Sequence, residues 1–236
     1  MNMIAHLFKS SLGKKYIMAI TGFFMFLFVI AHLVGNLQIF LGPEVINRYG
    51  NFLQTNLELV WPARLILLTF LVLHIWSASK LSIENKAARP EGYAVYQPIG
   101  SAYASRTMFM SGIIAFFFIV YHLLHYTAEV KYVNLTGQNF ATFIDAQGRH
   151  DIFRMMVVGF NNGWVCAFYI VGVGLLCLHL SHGASSMFQS MGWNSDAYRP
   201  FLANAGRILA LLIFIGYASI PLSILCGYGR QHLNLP

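Results

Sequence analysis

Charge is scarce in this sequence. Asp, Glu, Lys and Arg together make up 10% of its 236 residues, against roughly 25% in a soluble domain. Hydrophobic residues reach 57% and mean hydropathy is +0.60. So few charged side chains cannot cover the surface of a water-soluble enzyme of this size, and the same arithmetic excludes disorder. Cysteine is scarcer still. Cys166, Cys177 and Cys226 sit inside apolar runs with no CxxC, CxxCH or Cys/His zinc spacing, which excludes a disulfide framework, c-type haem attachment and a zinc finger. The first apolar run is too long, and too poor in small residues at its end, for a cleaved signal peptide. Carboxylates are missing from the apolar runs altogether. That removes a di-iron carboxylate bundle and the mid-span acids expected of a proton or cation transporter. The formal charge of +7 does not point to nucleic acid, because the basic residues stand at the ends of apolar runs, where membrane orientation signals lie.

The remaining class is an all-α, polytopic membrane protein. Charge-free intervals locate its spans: 28 residues between Lys15 and Glu44, 22 between Arg106 and Glu129, 41 between Arg154 and Asp196, and 22 between Arg207 and Arg230. About 20 residues of helix cross the hydrocarbon. A further span runs through the 15 residues between Arg64 and Lys80, extended over 59–63 and with basic ends able to snorkel. The expected helices are 16–40, 60–82, 106–128, 162–188 and 206–228, forming one membrane domain over 1–236. Five spans place the termini on opposite sides. The side holding the N-terminus carries Lys9, Lys14, Lys15, Lys80, Lys86, Arg89, Arg106, Arg199 and Arg207 against Glu84, Glu91 and Asp196. Six basic and five acidic residues lie on the other side, so the N-terminus is expected in the cytoplasm and the C-terminus outside.

Histidine is the residue out of place. Six of the nine fall inside expected spans: His32, His74, His122, His125, His179 and His182. An intramembrane ionisable residue marks function by default, although a neutral histidine can simply bond one helix to another. Depth sorts them. His32 and His122 each lie about sixteen residues from the N-terminal side of their helices, in the outer half. His74 and His179 lie late in helices that run the other way, towards the cytoplasm. Two layers with two facing imidazoles each is the arrangement that two six-coordinate haems require. An internal echo accompanies it: Thr21-Gly22 precedes His32 by eleven residues and Ser111-Gly112 precedes His122 by eleven. Three turns place pair and histidine on one helix face, where Gly22 and Gly112 would admit a macrocycle or a second helix. His125 and His182 follow His122 and His179 by three residues. Spacing leaves each as an alternative ligand, or as a neighbour of a haem propionate or quinone.

The stretches Phe28-Val-Ile-Ala-His32-Leu-Val-Gly-Asn36, Val72-Leu-His74, Ile119-Val-Tyr-His122-Leu and Ile170-Val-Gly-Val-Gly-Leu-Leu-Cys-Leu-His179-Leu-Ser-His182-Gly183, continuing through Phe188 to Met191-Gly192-Trp193, resemble the diheme cytochrome b anchor subunit of succinate dehydrogenase and fumarate reductase, the single five-helix type. The resemblance spans nearly the whole chain. It implies His32 and His122 as axial ligands of an outer haem b, and His74 and His179 of an inner one. Counting thirteen residues back from Gly192 selects His179 over His182, and the step after a bulky apolar run selects His122 over His125. It further implies a respiratory complex II in the bacterial cytoplasmic membrane, embedded in lipid and linked to the tricarboxylic acid cycle. There a flavoprotein subunit and an iron–sulfur subunit dock on this chain, and the complex can assemble into a higher oligomer. The haems relay electrons to or from a quinone, expected to be menaquinone, and the chain itself holds no dicarboxylate site. Where some relatives carry a functional glutamate near an outer quinone site, this sequence has Gln54, with Glu58 one turn further on. Ser11, Lys15 and Arg106, together with Ser10 and Lys14, form an electropositive set able to hold propionates or a quinone, or simply to anchor the cytoplasmic face. Two other readings stay open: a diheme anchor of another quinone-linked dehydrogenase, such as a hydrogenase or formate dehydrogenase, and a haem-free scaffold or transporter.

Overall fold

A computed structural model of the chain describes residues 3–88, 107–193 and 195–233. Most of the described residues are helical and none of them forms a strand beyond an isolated bridge of Ile144 with His150. The eight α-helices are α1 Met3–Lys9, α2 Ser11–Leu37, α3 Pro43–Thr55, α4 Leu57–Ala87, α5 Met108–Tyr126, α6 Ile152–Phe160, α7 Gly163–Ser190 and α8 Arg199–Leu225. Five of them (α2, α4, α5, α7 and α8) are long and apolar enough to cross a membrane. The chain is a multi-pass, all-α membrane protein. Its exposed side chains include Phe24, Leu65, Phe117, Val171 and Leu211, as hydrocarbon rather than water would dictate.

All five spans overlap the expected ones, with limits shifted most in α2, α4 and α8. Helix α2 begins at Ser11 rather than 16. Helix α4 carries Arg64 and Lys80 within it, as expected, and runs three residues further at its start and five at its end than 60–82. Helix α8 starts at Arg199 rather than 206. An ion pair of Arg199 with Asp196 at 2.8 Å closes that start, and Arg207 lies inside the helix. Arg89, Glu91 and Arg106 fall outside the described residues.

The chain forms two compact units, each built from separate stretches. The first contains Met1–Val29, Ala63–Ser111 and Leu178–Ala210. Ser10 opens α2 by accepting the Gly13 N–H at 3.0 Å, an ordinary N-cap. Lys14 is 3% exposed and pairs with the half-exposed Glu84 of α4. A buried ammonium requires such a partner. Trp76 packs against Phe8, and Phe70 against Phe24.

The second unit contains Ile30–Pro62, Gly112–Cys177 and Leu211–Pro236. It includes a folded cap made where the sequence suggested only loops. Pro43 and Glu44 occupy the first turn of α3, positions where Pro is pre-set and acid opposes the helix dipole. Asp151 caps α6 by accepting the Arg154 N–H. Asn47 of α3 is 2% exposed and ties the two together. Its Oδ1 accepts the Phe153 N–H at 2.9 Å, and its Nδ2 donates to Asp151 at 3.0 Å and to Asp145 at 3.3 Å. Phe140, Phe143, Met155 and Val158 form the cap's apolar centre, with Tyr126, Ile152 and Leu233 around it.

Candidate functional site: two imidazole pairs

The four histidines singled out by depth meet in twos, one pair in each unit. In the first unit the ring centroids of His74 (α4) and His179 (α7) are 6.3 Å apart, inclined at 66°. In the second, His32 (α2) and His122 (α5) are 5.7 Å apart at 83°. All four are partly exposed, with Phe118, Tyr126 and Tyr169 around His122 and Tyr217 beside His32.

How each ring is held matters more than that it is near another. His74 Nδ1 lies 3.0 Å from the Met18 carbonyl oxygen and 3.2 Å from Thr21 Oγ1. A carbonyl can only accept, so Nδ1 carries the proton. Thr21 gives its own proton to the Ile17 carbonyl at 2.7 Å, which leaves its oxygen to accept as well. His179 repeats the device: Nδ1 is 3.1 Å from Ser111 Oγ, and Ser111 donates to the Met108 carbonyl at 3.1 Å. In both rings Nδ1–H is spent, and Nε2, the lone-pair nitrogen, makes no hydrogen bond among the described residues. Gly22 belongs to this arrangement, since a Cβ there would stand 3.2 Å from His74 Cε1. Any side chain at 22 would press on the ring.

The second unit uses a different device. The Tyr169 hydroxyl of α7 lies 3.0 Å from His125 Nδ1 and 3.4 Å from His122 Nδ1. The phenol has one proton for two nitrogens; with that proton on His125, its oxygen accepts from His122 Nδ1–H, the tautomer that frees His122 Nε2. His125 is wholly buried, stacked on Tyr126 at 3.9 Å and on Phe140 at 5.7 Å. Its Nε2 and the Tyr126 hydroxyl are buried without a hydrogen-bond partner among the described residues.

Compared with family models, with curated proteins and with solved structures, the chain matches none. The site must be read from its own geometry.

That geometry separates the alternatives spacing left open. His122 faces His32, whereas His125 lies between two aromatic rings. His179 faces His74, whereas His182 Nε2 is taken up by Ser186 Oγ of the same helix at 2.8 Å. The hydroxyl–glycine echo carries a contact beyond the expected close approach at glycine. Thr21 shares a helix with His32 but holds His74, and Ser111 shares a helix with His122 but holds His179. The echo is also longer than two residues, because Met18 stands three before Thr21 and Met108 three before Ser111. Tyr169 was not anticipated at all. Its only signal was a phenol inside an apolar run.

The remaining expected residues lie apart from the pairs. Gln54 is exposed on α3, its amide 3.3 Å from His150 Nδ1. His150 Nε2 donates to the Phe140 carbonyl at 3.0 Å and stands 3.5 Å from Glu129. Glu129 raises the His150 pKa above the usual imidazole value, against the effect of burial. Arg149 binds Glu44 and Asp145 through its guanidinium, the shorter contacts being 2.7 and 2.8 Å. Its hydrogen bond lowers the Glu44 pKa; for Asp145, desolvation pushes upward but is outweighed by hydrogen bonds from Arg149. Glu58, Ser11 and Lys15 are exposed. The buried cation of the N-terminal set is Lys14, and its partner is a carboxylate of this chain.

Proposed function

We propose that the chain is a diheme cytochrome b membrane anchor that relays electrons between a soluble iron–sulfur partner and a quinone, as the resemblance to succinate dehydrogenase and fumarate reductase implies. One observation carries this reading: two imidazole pairs, one in each unit, with Nδ1 bonded wherever a partner is resolved (His74, His179 and His122). A histidine that ligates metal through Nε2 nearly always donates its other N–H to a carbonyl, hydroxyl or carboxylate, which fixes tautomer and ring orientation. Distances agree. A metal–imidazole bond of about 2 Å on each side, plus about 1 Å from each nitrogen to its ring centre, puts two axial rings roughly 6 Å apart. Among the described residues no group of three or more His, Cys, Asp or Glu side chains is placed to hold a metal ion. Pairs suit a macrocycle that brings four nitrogens of its own.

Haem bound between such pairs supplies a one-electron iron couple. The chain's own work is to hold the imidazoles in one tautomer and to surround them with apolar residues. It also provides helices of different origin to clamp each pair: α4 with α7, and α2 with α5. The basic residues at the N-terminal side favour a cytoplasmic N-terminus and give flavoprotein and iron–sulfur subunits a face to dock on. The quinone, menaquinone in this reading, and the lipid of a bacterial cytoplasmic membrane complete the assembly.

The test is a dithionite-reduced minus oxidised spectrum of the purified full chain, with haem counted as pyridine haemochrome per polypeptide. Two b-type haems are expected. His32→Ala and His122→Ala should remove the same one, and His74→Ala and His179→Ala the other. A well-folded, colourless protein would refute the reading and leave the histidines as interhelical hydrogen-bonding groups.

A further inference from the structure

The hydrogen bonds to Nδ1 imply a division of labour among the residues that hold the imidazoles. We infer that Thr21 and Ser111 are positioning residues for the His74/His179 pair, and that Tyr169 is the positioning residue for the His32/His122 pair, each setting the redox potential of one haem alone. The inference rests on the diheme reading.

Thr21 Oγ1 and Ser111 Oγ each give their proton to a carbonyl of their own helix, Ile17 and Met108, so both oxygens are left to accept from an imidazole on another helix. These are crossed assignments. Thr21 rides on the helix of His32, and Ser111 on the helix of His122, yet each serves the other pair. Tyr169 serves the second pair through His122 and is itself oriented by His125. An acceptor on Nδ1–H makes the imidazole a stronger donor to iron, and a stronger donor favours the ferric state. Removing an acceptor therefore moves that haem's midpoint to a more positive potential and leaves the other where it was. The shift is smaller for Thr21→Val, because the Met18 carbonyl stays on His74 Nδ1 at 3.0 Å, than for Ser111→Ala.

The experiment is a potentiometric titration of the full chain, followed optically and by ferric low-spin EPR, on the unsubstituted protein and on Thr21→Val, Ser111→Ala and Tyr169→Phe. Haem per polypeptide is measured on every sample. The expected result is grouping: Thr21→Val and Ser111→Ala raise the same midpoint and perturb the same EPR signal, while Tyr169→Phe raises the other. Thr21→Ser, which keeps the hydroxyl, should restore the original potential. That separates a hydrogen bond from loss of packing. If Thr21→Val and Tyr169→Phe move the same haem, the crossed assignment is wrong. Two haems per chain with all midpoints unmoved would overturn this inference and spare the diheme reading, whereas no haem in the unsubstituted chain would overturn both.

Discussion

Asn47 offers the sharpest test of how the cap of the second unit is held. Replacing it with alanine leaves the Phe153 N–H buried with no acceptor, because α6 begins there and supplies none. Phe153 is itself fully buried, so water cannot substitute. An orphaned buried donor costs about 2 kcal/mol, and loss of the amide's two bonds to Asp145 and Asp151 adds about 1 kcal/mol. About 3 kcal/mol is roughly a hundredfold in an opening equilibrium. Amide hydrogen exchange along α6, in detergent micelles, reads that opening directly. Asn47→Ala should speed exchange of the Phe153 amide and of α6 by about two orders of magnitude, with α4 unaffected. Asn47→Asp is the complementary variant. It keeps an acceptor for Phe153 but sets a third carboxylate against Asp145 and Asp151. Repulsion raises the pKa of that carboxyl in the folded state, so the penalty relative to wild type is full at neutral pH and shrinks as pH falls through the raised value. A change below about threefold in Asn47→Ala, or an Asn47→Asp protein as protected as wild type at pH 7, would refute the argument.

Two further outcomes follow from the cap's ionic contacts. The carboxyls of Glu44 and Asp145 have lowered pKa values when folded. Their contribution is present above the ordinary carboxylate range and is lost as pH falls through the lowered values, so acid should loosen the cap, and Arg149→Gln should remove that acid step in exchange-monitored titrations. His150 has the opposite sign: its folded pKa is raised by Glu129, so its contribution is complete below the unfolded value near 6.5 and fades as pH rises through the raised one. Glu129→Gln should bring the imidazole NMR titration of His150 back down, and an unchanged midpoint would mean that the 3.5 Å contact does not form in solution.

The spans were legible because a membrane leaves a one-dimensional trace: a run of about 20 residues without charge. That trace is weakest where a charged residue lies within the helix, as Arg64 does in α4 and Arg207 in α8. The cap was illegible for the same reason. Helices α3 and α6 are short and lie between charges, and only local signs announced them: Pro43 at a helix start, and Asp151 before Ile-Phe. The meeting of His32 with His122 and of His74 with His179 followed from depth, which can be counted along a helix. What holds the rings did not. Thr21 and His74 are 53 residues apart, Ser111 and His179 are 68 apart, and no periodicity reports which nitrogen carries a proton. The Thr-Gly and Ser-Gly pairs were visible, and Gly22 does lie against a neighbouring helix at His74, but the hydroxyls' hydrogen bonds to His74 and His179 were not. At that point on α2 and α5 the hydroxyl reaches a neighbouring helix.

The short helix α6 has a consequence for how the protein is made. Nine residues at 1.5 Å each come to about 13 Å, too short to be threaded across a bilayer, yet all but Ile152 and Arg154 are buried. Its neighbours are dispersed along the chain: Asn47 far upstream, and Tyr228 and His232, whose rings stand 6.4 and 5.5 Å from Phe153, far downstream. Tyr228 in turn donates to the Ile39 carbonyl, 189 residues away. A ribosome has therefore to deliver the last span before this segment finds its seat. Truncation beyond Leu225, which removes Tyr228 and His232 from Phe153, should leave α6 unseated, read as faster proteolysis between α5 and α7 than in the full chain.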